Sequence, residues 1–213
     1  FSLIFFSSFA QLDREHWFGP MSDRVSGPNT ANYQSIYMST GETTPFKVDI
    51  YYDNVVIASF MVSKNNPQKY KIPSYQRSRI IVTNDWNNPL VGLFQPVAMG
   101  FYLKGEKPFF ASLRFSIQNH AEIQTSKGTA ALGTEFRAVV APITAATGSL
   151  NFMNSVMATQ DNTKVKITEF RPDVVFSDEI PRTEITFELN KGESYIIEGG
   201  DSFYENQTGY IGA

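Results

Sequence analysis

The chain has 213 residues, no cysteine, a formal net charge of -3, and 18 Phe, 10 Tyr and 2 Trp. The absence of cysteine excludes disulfide staples and thiolate metal centres, so shape must come from apolar burial and sheet hydrogen bonds, which a chain of this length can supply. Eighteen Lys and Arg scattered among 21 Asp and Glu exclude the concentrated basic face that nucleic acid or an anionic membrane requires.

Abundant aromatics, with 14 Gly and 11 Pro spread along the length, predict an all-β fold. The expected architecture is one or two antiparallel β-sandwiches with at most short helices. Residues 1–10 read as the remnant of a secretory signal peptide: an apolar run closes on Ser8-Phe9-Ala10, with small residues at the first and third positions before Gln11. The run is too short to span a bilayer. It predicts an extracellular or cell-surface location and a mature all-β fold over 11–213. Asp13, Arg14, Glu15 and His16 follow as a charged cluster, read as a solvated amino terminus.

Residues 46–50 alternate apolar and polar, as do 112–117, 165–167 and 183–189. In the last of these Ile185, Phe187 and Leu189 share one face and Glu184, Thr186 and Glu188 the other. The turn at 190–193 followed by 194–198 predicts a hairpin. Residues 78–82 form a continuous apolar run that suits a strand covered on both faces. Residues 38–48 align without gaps on 157–167, and 60–71 on 185–196 with Tyr70 opposite Tyr195. This similarity leaves one unit or two open, the two spanning about 30–118 and 119–213 with the second cut short.

Residues 83–89 are dense in turn formers. Trp86 stands there among Asn84, Asp85 and Asn87, a set that can stack an indole on a sugar face while amides and the carboxylate take hydroxyls; the alternative is Trp86 folded back as a loop anchor. His16 and His120 are the two imidazoles, more than a hundred positions apart. Glu122 would share a strand face with His120, but transition-metal sites need three or four ligands. Asp173, Asp178 and Glu179 in a Pro-bounded loop are the carboxylates that could reach solvent as an acid pair. Residues 160–163 fit a two-residue hairpin turn better than a calcium loop. Asn206-Gln207-Thr208 is a formal glycosylation sequon.

The stretch Ser126-Lys127-Gly128-Thr129-Ala130-Ala131-Leu132-Gly133-Thr134-Glu135-Phe136-Arg137 reads as structural, with Gly128 and Gly133 bracketing a tight excursion, Leu132 and Phe136 burying, Thr134 bracing the turn and a short helix near 129–132. It resembles the Ser-Lys-Gly…Ala-Leu-Gly-Thr-x-Phe segment of the IgGFc-binding-like amino-terminal domain of large surface proteins of gliding bacteria. Residues 9–12, 151–165 and 189–195 are similar to the same family. The resemblance implies a carboxy-terminal gliding-motility-associated, type B sorting domain read by the type IX secretion machinery, outside these 213 residues. It does not carry immunoglobulin binding over to this chain.

The expected function is a non-catalytic secreted or cell-surface module for adhesion or surface presentation, part of a larger type IX-secreted protein. A glycan or a surface protein is the expected partner; nucleic acid, membrane insertion, cofactors, metals and catalytic residues are not expected. The alternative is an accessory domain of an extracellular polysaccharide-degrading or proteolytic enzyme.

Overall fold

A computed structural model describes residues 11–23, 33–73, 80–83, 92–117, 120–139, 152–200 and 210. The signal-peptide remnant at 1–10, the Trp86 loop at 84–89, residues 78–79 and the sequon at 206–208 lie outside the described residues. Thirteen strands follow in order among the described residues: β1 (Asp13–Phe18), β2 (Met21–Asp23), β3 (Tyr33–Ser39), β4 (Phe46–Tyr52), β5 (Val55–Val62), β6 (Gln68–Lys71), β7 (Ile81–Thr83), β8 (Phe101–Ile117), β9 (His120–Thr125), β10 (Met153–Met157), β11 (Thr163–Ile167), β12 (Ile185–Leu189) and β13 (Ser194–Glu198). The one helical element described is a single 3-10 turn, Gly128–Ala131, close to the short helix expected there. The fold is all-β and its pairing antiparallel, except for β2 with β7.

The organising element is the 17-residue strand β8. Phe101, Leu103, Phe109, Ala111 and Leu113 are buried while Lys104, Glu106 and Arg114 are exposed, so strict alternation sets its two faces. Its amino half lies between β1 and β4, because Lys104 pairs with both Glu15 and Asp49. Its carboxyl half lies between β9 and β3, because Arg114 pairs with both Ile123 and Ser35. β5 adds outside β4 and β6 outside β3. Ile36, Met38, Phe46, Val48, Ile50 and Val62 close on the inward face of β8, each of the larger side chains contributing about 1.5–3 kcal/mol on full burial.

The second core is aromatic. Phe176 meets Phe94, Phe152, Phe170 and Tyr210 edge to face, and Tyr210 stacks on Phe152 at 4.4 Å. Leu189, Ile185 and Ile197 fill the space around them.

The sequence similarity between the two halves reappears as hydrogen-bond register. β4 and β5 pair Phe46 with Val62, Lys47 with Met61 and Val48 with Phe60; β11 and β12 pair the aligned residues, Val165 with Phe187, Lys166 with Thr186 and Ile167 with Ile185. Outside these inner pairs, β3 joins β6 and β10 joins β13. There Met38 pairs with Gln68 and Met157 with Ser194, a register one residue away from Glu193, the position aligned with Gln68.

This plan corrects the hairpin expected from 183–189 and 194–198. β12 pairs with β11 and β13 with β10, so the turn at 190–193 carries the chain from one pair to the next. The turn at 160–163 likewise joins β10 to β11, which are not partners, rather than closing a two-residue hairpin. Its backbone is tied across instead: Ala158 N donates to Glu193 O and Gly192 N to Ala158 O, each at 2.9 Å. A two-residue hairpin does occur at Asp53-Asn54 between β4 and β5, where φ values of 48° and 60° place both residues in the left-handed region, the turn geometry that matches the right-handed twist of the flanking strands.

Three other expectations change. The cluster at 13–16 is strand β1 and not a solvated terminus, and His16 is fully buried because alternation beyond the register shift at Asp13–Glu15 turns His16 and Phe18 inward and leaves Glu15 and Trp17 on the other face. Leu132 and Phe136 do not bury; they are 44% and 64% exposed. Within 78–82, Ile80 is buried and the strand begins at Ile81, pairing in parallel with β2.

Candidate functional site

Trp17, Tyr102 and Tyr51 stand side by side on β1, β8 and β4, since Trp17 and Tyr51 are both register partners of Tyr102. Their neighbours His16, Phe18, Phe101, Leu103 and Ile50 are buried, so alternation turns these three to the outer face. Trp17 stacks on Tyr102 at 5.3 Å between centroids, and Tyr51 lies 5.2 Å from the other side of the row. All three are partly exposed. They form one wall of a small, shallow cleft.

The opposite wall comes from a distant part of the chain. Lys191 sets its ammonium 5.8 Å from the Tyr102 ring, and Met157, Ala158 and Gly192 complete the surface. The Asp53-Asn54 hairpin closes one end, and Asn54 Nδ2 donates to the Lys191 carbonyl at 3.0 Å, tying the hairpin tip to that wall. At the base Gly100 has φ of 108°, and a Cβ there would come within 2.7 Å of the Phe18 carbonyl, so the close approach of β8 to β1 requires glycine.

The aromatic row is held in place by polar contacts beneath it. Tyr102 donates its hydroxyl to Glu15 Oε1 at 2.5 Å, and Lys104 sits 3.8 Å from the same carboxylate. Burial, followed by the Glu15 hydrogen bond and charge, raises the Tyr102 phenol far above its ordinary range and keeps it a donor. The cleft thus presents aromatic edges and faces beside one carboxylate, one ammonium and one amide, in a space with room for about one water.

The sequence-derived candidates fare differently. Trp86, Asn84, Asp85 and Asn87 lie outside the described residues. Glu122 is exposed on β9, two positions from His120. Asp178 is committed to Arg182, whose guanidinium lies 4.9 Å from the Phe94 ring centroid and 5.3 Å from that of Phe176. Burial pushes the Asp178 carboxyl up, but hydrogen bonds from Arg182 and the Ile180 N–H outweigh it and leave the group below its usual range. Asp173 is paired with Arg171, and Glu179 is exposed with φ of 58°. Asp161 accepts from the Lys191 backbone N–H at 2.9 Å, which makes it a turn brace. Among the described residues no three His, Asp or Glu side chains converge to hold a metal.

Sequence reasoning missed the cleft because its walls are some 90 and 170 positions from Trp17, at Tyr102 and Lys191. The signal within reach was the pair of strand aromatics Trp17 and Tyr102, each flanked on both sides by inward-facing residues.

Residues 125–212 match the family model of the IgGFc binding protein. The matched stretch is the one whose motif opens at Ser126, and it contains the 3-10 turn and all four strands from β10 to β13. It supplies the Met157, Ala158, Lys191 and Gly192 wall of the cleft, whereas the aromatic row and the Asp53-Asn54 hairpin precede it. No curated protein matches the chain. No solved structure matches it either.

Proposed function

We propose that this chain is a non-catalytic secreted or cell-surface module for adhesion or surface presentation, within a larger protein exported by type IX secretion. The observation that carries the reading is the match of residues 125–212 to the IgGFc binding protein family, which makes this part of the chain similar to a binding module. The scaffold is in keeping with it: a cysteine-free, all-β framework with loops and hairpin tips available for contact. Among the described residues no helix is long and apolar enough to cross a membrane. The recurrent pairing register supports two related units near 30–118 and 119–213. The Trp86 loop, with Asn84, Asp85 and Asn87, is a proposed contact surface of the same module.

The test is to express residues 11–213 and screen immobilised polysaccharides, glycoproteins and immunoglobulin Fc for saturable binding, with product release assayed in parallel. Saturable binding without turnover is the expected result; turnover of any polymer contradicts the non-catalytic reading. The export route is tested in a gliding bacterium by comparing surface display of the full reading frame in wild type and in a strain lacking the type IX channel. Undiminished display in the channel mutant rules that route out.

A further inference from the structure

We propose that the second unit lacks its central strand, and that the slot between β10 and β11 takes a long strand supplied by the sequence following Ala213 in the full-length protein. The proposal rests on the reading of the chain as part of a larger protein built from two related units, and it names the segment that completes the second of them.

The first unit shows what such a slot holds. β8 runs antiparallel to both β3 and β4 and joins them into one sheet, with residues 110–116 opposite β3 and 102–105 opposite β4. It also gives that core the buried side chains of Phe101, Leu103, Phe109, Ala111 and Leu113. The gap-free alignment puts β10 in the place of β3 and β11 in that of β4. Among the described residues each has a partner strand on one side, β13 for β10 and β12 for β11, so the two pairs stay separate two-stranded sheets with one edge of each open to a further strand.

Exposure follows the same line. Val165 and Ile167 stand at the positions of Phe46 and Val48, which are fully buried beside β8, yet both are only partly buried, while Ile185 and Leu189 on β12, one strand further from the slot, are buried. Carried back without a gap, the alignment sets Trp17 of β1 against Phe136. β1 pairs with β8, and Trp17 stacks on Tyr102 there, whereas Phe136 is 64% exposed. Residues 132–139 belong to no strand, and Leu132 and Val139 are exposed with Phe136. The edges of β10 and β11 and this apolar stretch are the counterparts of the three surfaces that β8 covers on β3, β4 and β1.

Spacing identifies the donor. β8 starts at Phe101, 30 positions after β6 ends at Lys71, and Lys71 aligns with Ile196 of β13. The same interval counted from Ile196 passes Ala213. A second copy has no β8 to lend, because each is already paired with β1, β3, β4 and β9. A strand tethered to β13 also meets the slot at the high effective concentration of an intramolecular partner. It should resemble β8: long, alternating in apolar residues, and antiparallel to both β10 and β11.

Two proteins are compared by hydrogen exchange and urea unfolding: residues 11–213, and the same chain extended in the full reading frame by about 40 residues, enough for a connection and a strand of the lengths seen in the first unit. Amides of β10 and β11 are expected to exchange at least about tenfold more slowly in the longer protein, with those of β3 and β4 unchanged. Phe136→Ser is expected to leave the urea midpoint of the shorter protein where it is and to lower that of the longer one. A proline at the centre of the downstream strand should restore fast exchange at β10 and β11 while β3 and β4 stay protected. Equal exchange at β10 and β11 in the two proteins overturns the slot. Protection of the shorter protein that grows with its concentration assigns the slot to a second copy and overturns the downstream donor. Both results leave the surface-binding reading standing. A reading frame that stops within 30 residues of Ala213 overturns the proposal and takes the larger-protein reading with it. A longer protein that gains the protection yet binds nothing in the screen above sinks the binding reading alone.

Discussion

The His16 imidazole donates from Nε2 to the Phe109 carbonyl at 2.7 Å and lies edge-on to the Phe109 ring at 4.6 Å. The contact sits where the β1–β8 register slips, from Glu15 opposite Lys104 to Asp13 opposite Phe109. A bulge leaves backbone groups unpaired, and His16 restores one bond to Phe109 and a longer one, 3.2 Å, to the Asp13 carbonyl. Nδ1 is buried with no hydrogen-bond partner, so the neutral ring is the form this site holds. Burial is the main cause of a pKa below the ordinary 6.5, only partly offset by those carbonyls and the Asp13 charge.

The pH dependence follows from that direction. Below 6.5 the unfolded chain takes up a proton at His16 that the folded chain resists, so stability is full above 6.5 and falls as pH drops from there toward the lowered folded value. Urea unfolding at steps from pH 7.5 to 5 should show this decline, and His16→Gln should flatten it. Asp13 acts in a separate window: burial raises its carboxyl, but bonds from Thr129, Arg14 and Glu15 outweigh that and lower it below 3.8, so its contribution is present above 3.8 and lost in stronger acid.

Gly128 should tolerate no side chain. Its φ is 61°, and a Cβ would sit 2.4 Å from the Asp13 Cβ, at the point where Asp13 Oδ2 accepts from the Thr129 N–H at 2.7 Å and the Thr129 hydroxyl at 2.5 Å. Gly128→Ala therefore adds backbone strain and pushes the 3-10 turn off β1, for a loss expected to exceed about 1 kcal/mol in urea unfolding. Asp13→Ala should reproduce part of that loss by removing the acceptor while leaving the backbone free.

Strands were legible in the sequence wherever alternation was clean, as at Ile185, Phe187 and Leu189. What alternation does not record is the partner. Residues 183–189 and 194–198 carry every local mark of a hairpin, yet each pairs with an earlier strand, because backbone ladders are indifferent to which strand of suitable pattern fills them. Polar composition misled at His16, where four charged or titratable residues in a row concealed a strand with one buried face. The cleft was illegible for a related reason: Trp17, Tyr102 and Lys191 become neighbours only through the β1–β8 register and the turn ties at Ala158.

Phe136 separates packing from exposure in the motif shared with the family. It is 64% exposed, with Leu132 at 44% and Val139 at 91% in the same segment. Phe136→Ser should leave the unfolding free energy within about 0.5 kcal/mol, as surface changes do. A loss of several kcal/mol by urea titration would mean that the ring packs in solution, as the sequence pattern alone implies.

Asp178 is the carboxylate whose removal should cost most among Asp173, Asp178 and Glu179. Its side chain is 7% exposed and holds Arg182, itself 18% exposed and set against the Phe94 and Phe176 rings of the aromatic core. Alanine there strands a guanidinium among aromatics without its counter-ion, a change that costs about 3 kcal/mol when the pair is buried. Removing both partners, as in Asp178→Ala with Arg182→Met, should recover much of the loss because no unpaired charge remains. Asp173→Ala, at an exposed ion pair, should cost less than about 1 kcal/mol. Glu179→Gly should be neutral or slightly stabilising, since Glu179 has φ of 58° and glycine adopts that conformation without strain. Chemical denaturation of the four variants checks this ordering. Equal, small losses at all three single positions would show that the Asp178–Arg182 pair does not anchor the second core.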